Sequence, residues 1–170
     1  ALLGERFRGH ESFRGHESFR GQIVGLDLSR GMLRRAGRKL AAYGEQVTLL
    51  WHDAGRLPFP DAAFDAVTCL ESLEFLPHPR EALAEMVRVL APGGVLFVTN
   101  RVGHEALLLP GRAIPRPELE RLLAGLPLSV FQVRPWQVNY DQILARKAGP
   151  RHAEARQGRD LASLLRCPAC

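Results

Sequence analysis

The feature that most narrows the possible folds is a hydrophobic period that switches repeatedly between two and about 3.6 residues along 22–98. Gln22 to Leu26 is a short, mainly apolar run that ends against an acidic residue, Asp27. Ser29 then offers a helix cap, and Met32, Leu33, Ala36, Leu40 and Tyr43 recur at helical spacing. Gln46 to Trp51 reads as a second strand, with His52, Asp53 and Ala54 at its carboxyl end. The connection GRLPFPDAA follows, and its prolines can continue neither strand nor helix. Phe64 to Leu70 is apolar enough to be buried on both faces, as parallel strands are. Arg80 to Leu90 predicts a helix with Leu83, Met86, Val87 and Leu90 on one face; it stops at Pro92, Gly93 and Gly94 before a strand over Val95 to Thr99. A short helix from about Pro117 and two β-like runs, Leu128 to Val133 and Val138 to Ala145, complete the pattern. Alternating strands and helices predict an α/β fold with a mainly parallel sheet, helices on both faces and right-handed crossovers. The last two runs have only a short link and should form an antiparallel edge hairpin.

In open α/β sheets ligands sit outside the carboxyl ends of the strands. A carboxylate there suits a ribose diol, since its two oxygens can accept from two vicinal hydroxyls. Asp27 is therefore the first candidate binding residue. With 170 residues and 46% hydrophobic content, the chain can bury one sizeable core, and a second enzymatic domain is not expected. The formal charge of +5 is almost wholly arginine, because Lys39 and Lys147 are the only lysines. These charges spread over every predicted helix, which favours solvated faces over a nucleic-acid reader. No apolar run reaches the roughly 18 residues of a membrane span and no leader pattern is present, so the expectation is a cytoplasmic protein with no membrane partner.

Both ends differ from this pattern. Residues 7–21 read FRGHESFRGHESFRG, a six-residue unit that occurs twice and begins a third time. Six helical steps turn about 600°, so Phe7, Phe13 and Phe19 would share no helical face, and an irregular, duplicated segment is expected. His10 and His16 then repeat with the unit and are better read as products of duplication than as metal ligands. From Gly149 to Arg159 the chain is polar and basic, a linker, and LASLLRCPAC closes it with Cys167 and Cys170 at CxxC spacing. Two thiolates make half a tetrahedral zinc site, so zinc is expected only if other residues complete the set. Cys69, inside an apolar run, reads as a buried small hydrophobe.

The segments VGLDLSRGML, HDAGRLPFPDAAFDAVTCLESLEFLPHP and EALAEMVRVLAPGGVLFVTN, in this order and spacing, resemble class I S-adenosylmethionine-dependent methyltransferases. The resemblance implies a Rossmann-like fold, S-adenosylmethionine as cofactor and methyl transfer to a small-molecule acceptor. It implies that Asp27, followed by Leu28, binds the ribose hydroxyls, that Asp53 with the backbone of Ala54 meets the adenine amino group, and that Leu70 and Glu71 face the cofactor. No catalytic residue is assigned; Glu71 and His78 are candidates to take an acceptor proton, and both, like Glu74, are as consistent with solvated side chains. The Pro92, Gly93, Gly94 turn is implied to be structural.

The family's first glycine-rich loop should precede Asp27 by about twenty residues, where close backbone approach needs glycine. Here Leu2 stands at the acidic position, Arg6 and Arg8 replace later glycines, and only Gly4 keeps its place. The expected organisation is a methyltransferase-like domain over 1–148, with the irregular repeat of 1–21 in place of the first motif and the first strand and helix incomplete. The basic linker and a zinc-ribbon-like CxxC segment, cut off after its first knuckle, occupy 149–170. The alternative is a non-catalytic binding or interaction module that keeps the sheet.

Overall fold

A computed structural model describes residues 21–108, 110 and 112–149, which form two compact units, one ending at His52 and the other starting at Asp53. Gly4, the repeat and the CxxC end lie outside the described residues. The first unit holds β1 (Ile23–Asp27), α1 (Arg30–Leu40) and β2 (Val47–Trp51), with the strands parallel from Ile23 opposite Val47 to Asp27 opposite Trp51. The Ser29 side chain caps α1 by accepting from the Met32 N–H at 3.2 Å. Below the helix, Ala36 is buried and Gly37 lies against Leu49, so the side chains facing β2 stay small. The helix ends before Tyr43: a 3-10 turn over Ala41–Gln46 takes over, and Gly44 at φ 49° turns the chain. Tyr43 is consequently exposed rather than in the apolar row its spacing suggested.

The second unit holds β3 (Phe64–Cys69), α2 (Pro79–Val89), β4 (Leu90–Arg101), α3 (Arg116–Ala124), β5 (Leu128–Trp136) and β6 (Tyr140–Lys147). Its sheet runs β3-β4-β6-β5; β3 and β4 are parallel, while β6 pairs antiparallel with both β4 and β5. This is the α/β architecture expected, with the antiparallel hairpin at one edge. Beneath the sheet, Leu83, Met86 and Val87 of α2 and Leu119 and Leu123 of α3 join Leu96, Val98 and Ile143 in one core. Each such aliphatic side chain contributes about 1.5–3 kcal/mol by leaving water.

Two features depart from the sequence reading. Strand β3 is an edge among the described residues, and Asp65 and Ala66 are exposed while only its end at Cys69 is buried, in place of the expected burial on both faces. Strand β4 starts at Leu90, five residues before the expected start, because the Pro92-Gly93-Gly94 segment is a bulge inside it: from Leu90 to Val95, β4 takes five steps while β3 takes two. Gly93 has φ 71°, and a Cβ on Gly94 would come within 2.8 Å of the Ala91 carbonyl oxygen and 3.0 Å of that of Asp65. The glycines are thus required by backbone geometry. Arg88, near the end of α2, pins the proline-rich connection by donating to the carbonyls of Leu57 and Phe59 and to Asp61 and Glu85. Among the described residues no helix is long and apolar enough to cross a membrane.

Candidate functional site

Six of the seven residues expected at a cofactor are described, Gly4 being the exception. Asp27 ends β1, and its Oδ1 accepts from the Ser29 N–H at 2.7 Å. That bond holds the carboxylate in front of the α1 N-terminus, where anionic groups are favoured, and among the described residues Oδ2 forms no bond. One oxygen therefore serves the turn and the other is open to a ligand donor. Leu28 is exposed, and its carbonyl accepts from Trp51 Nε1 at 2.8 Å, which binds the tips of β1 and β2 together.

In the second unit, Asp53 is exposed and its Oδ1 accepts from the Gly55 N–H at 2.8 Å, while Ala54 packs against the core. Leu70 and Glu71 leave the carboxyl end of β3. Glu71 adopts φ 48°, a conformation that costs a non-glycine residue on the order of 1–3 kcal/mol, and its N–H donates to Thr99 Oγ1 of β4 at 2.6 Å. The strained backbone is thus fixed by a buried hydroxyl. Its side chain is exposed, as is His78.

The sequence reading missed a polar cluster behind these tips. Glu74 is 1% exposed rather than solvated. Its Oε1 accepts from Arg101 Nε at 3.0 Å and from the Tyr140 hydroxyl at 2.9 Å, and Arg101 also donates to that hydroxyl. Burial first, and the bonded Glu74 next, push the Tyr140 hydroxyl up to about 12. Nearby in the same unit, Asp141 is fully buried and accepts both from Arg116 Nε at 2.9 Å and from its Nη2. Arg101, Arg116 and Asp141 line a cleft of about 510 Å³ whose other walls are Val102, Ala106, Ile114 and neighbouring prolines. Each guanidinium is matched by a buried carboxylate, so the cleft suits a mainly apolar molecule that accepts a hydrogen bond. The sequence carried little signal for it, since Asp141 stands between Tyr140 and Gln142 and only its burial shows that the charge needs a partner. Cys69 is not a nucleophile candidate: burial raises its thiol to about 11. Among the described residues no three metal-ligating side chains cluster.

Residues 9–98 match the family model described as a methyltransferase domain. The chain is 48% identical over 77 residues to the demethylmenaquinone methyltransferase of Thermus thermophilus, covering 45% of this chain and 35% of that one. It is 33% identical over 143 residues to phthiotriol/phenolphthiotriol dimycocerosates methyltransferase 1 of Mycobacterium ulcerans, covering 84% and 48% respectively. Among solved structures, the methyltransferase CalH in complex with S-adenosylhomocysteine is similar with a TM-score of 0.61 and 26% identity, over 75% of this chain and 43% of that one. The chain therefore spans between a third and a half of the length of these relatives.

Proposed function

We propose that this chain, which belongs to the class I methyltransferase-domain family, binds S-adenosylmethionine and transfers its methyl group to a small, mainly apolar acceptor. The observation that carries the reading is Asp27: a carboxylate at the tip of a parallel strand, one oxygen fixed by the Ser29 N–H and the other open to a hydroxyl donor. Its chemistry fits the ribose of the cofactor. In this reading Asp27 and Leu28 hold the ribose, Asp53 and the Ala54 backbone meet the adenine amino group, and Leu70 and Glu71 contact the cofactor beside the acceptor. When bound, S-adenosylmethionine supplies a methyl group on a sulfonium, an activated donor. The protein's task is then positioning, which can lower a barrier by several kcal/mol without a covalent residue. The cleft lined by Arg101, Arg116 and Asp141 is the acceptor site in this proposal. Relatives named for demethylmenaquinone and for phthiotriol and phenolphthiotriol dimycocerosates support an apolar acceptor.

The altered first loop, with Leu2, Arg6 and Arg8 at family positions, favours a second reading, a non-catalytic module that retains the sheet. Calorimetric titration separates the two. The enzyme reading expects saturable binding of S-adenosylmethionine and of S-adenosylhomocysteine, and no heat from either at millimolar concentration would defeat it.

A further inference from the structure

We propose that α1 is a docking face for an anionic bilayer surface. Five of its eleven residues, Arg30, Arg34, Arg35, Arg38 and Lys39, are basic, and none is acidic. At about 100° per residue they occupy one half of the helix circumference, the half opposite Ala36, which is buried. All five are exposed, and among the described residues none forms an ion pair. The contrast with the other helices is direct. In α2, Arg80 and Arg88 are paired with Glu118 and with Glu85 and Asp61, and in α3 Arg116 is paired with Asp141.

The arrangement works against the helix that carries it. Arg30 and Arg34, Arg34 and Arg38, and Arg35 and Lys39 are like charges four residues apart, which repel. Arg30 also stands in the first turn, where cations oppose the helix dipole. Four of the five cations are guanidiniums, whose fork matches phosphate oxygens. Phosphate esters occur in lipid headgroups and in nucleic acids, and the apolar surroundings favour the bilayer. Met32, 47% exposed, borders the arc next to Arg35 and Lys39. At the start of the helix, Trp51 is 53% exposed, with the Arg30 guanidinium stacked 4.1 Å from its ring centroid. A tryptophan and a methionine beside cations suit the headgroup boundary, where the apolar groups leave water while the charges meet lipid phosphate.

The test is co-sedimentation of the full chain with vesicles of phosphatidylcholine containing phosphatidylglycerol, against vesicles of phosphatidylcholine alone and against duplex DNA. The expected result is binding to the anionic vesicles that weakens with added salt. A variant combining Arg34→Glu, Arg35→Glu and Arg38→Glu should lose on the order of a hundredfold in partitioning, and replacing the same three arginines by lysine should retain most of it. Far-UV circular dichroism checks that α1 persists; the reversed charges at positions 34 and 35 lie four residues from Arg30 and Lys39, which offsets the repulsion between those at 34 and 38, so the helix should not unfold. Equal binding to neutral vesicles, an unchanged triple variant, or tighter binding to duplex DNA than to anionic vesicles would overturn the proposal. Titration of S-adenosylhomocysteine against the same variants reads the methyltransferase proposal separately.

Discussion

Replacing Arg116 by methionine should destabilise the protein more than replacing Asp141 by asparagine, although both changes break the same ion pair. The two side chains sit differently: Asp141 is 0% exposed and Arg116 is 42% exposed. Removing the carboxylate releases a guanidinium that already reaches water, so the loss is that of the bonds themselves, about 1–2 kcal/mol. Removing the guanidinium leaves a carboxylate in the core whose only partner among the described residues was Arg116. Stranding one member of an enclosed pair costs about 3–5 kcal/mol, and partial hydration of this one lowers the expectation to about 2–4 kcal/mol. The double variant Arg116→Met with Asp141→Leu removes both charges and should recover most of the loss, since apolar replacement of a buried pair is often nearly neutral. Urea unfolding monitored by circular dichroism measures all three. Equal losses in the single variants, or a double variant as unstable as Arg116→Met, would refute the assignment of Asp141 as a charge that depends on this arginine.

Alanine at Gly94 should cost about 1–3 kcal/mol, because its Cβ would meet two carbonyl oxygens at 2.8 and 3.0 Å. Alanine at Gly37, inside α1, should gain up to about 1 kcal/mol, since there the Cβ makes an ordinary 3.7 Å contact with Leu49; thermal denaturation compares the pair. Ultraviolet titration of the phenols should show one tyrosine ionising only near 12, and Tyr140→Phe should remove that step. Because the folded state holds the Tyr140 proton more tightly than the unfolded chain, this contribution to stability is complete below about 10 and is lost as pH rises through the folded value. Glu85 has the opposite sign: its bond to Arg88 holds it below the usual carboxylate range, so its contribution is present at neutral pH and lost on acidification. Glu85→Gln should flatten that acid limb in urea unfolding.

Periodicity carried most of the fold. The 3.6-residue pattern located α1 and α2, Ser29 marked the cap that begins α1, and the short link between the last two β-like runs announced the hairpin. What local pattern could not show was partnership. Phe64 to Leu70 is apolar enough to be buried on both faces, but that burial depends on what packs over the strand, which its own composition does not show, and Asp65 and Ala66 are exposed. The glycines after Pro92 signal a turn equally well outside a strand or as a bulge within it, and only the register with β3 distinguishes these. Asp27 ends β1 and Asp53 follows β2 as expected, and each organises a turn through one oxygen. The bonds among Glu74, Tyr140 and Arg101 and between Arg116 and Asp141 escaped notice because they join residues 25 to 66 positions apart. A pair separated so far leaves no period in a single sequence.

The most direct test of the account is a cycle of four calorimetric titrations: wild-type and Asp27→Asn protein, each with S-adenosylhomocysteine and with its 2′-deoxy analogue. If the Asp27 carboxylate accepts from the ribose, each single change weakens binding about tenfold or more, and the two together weaken it little further. Losses that simply add, or an Asp27→Asn protein that binds S-adenosylhomocysteine as tightly as the wild type, would contradict it.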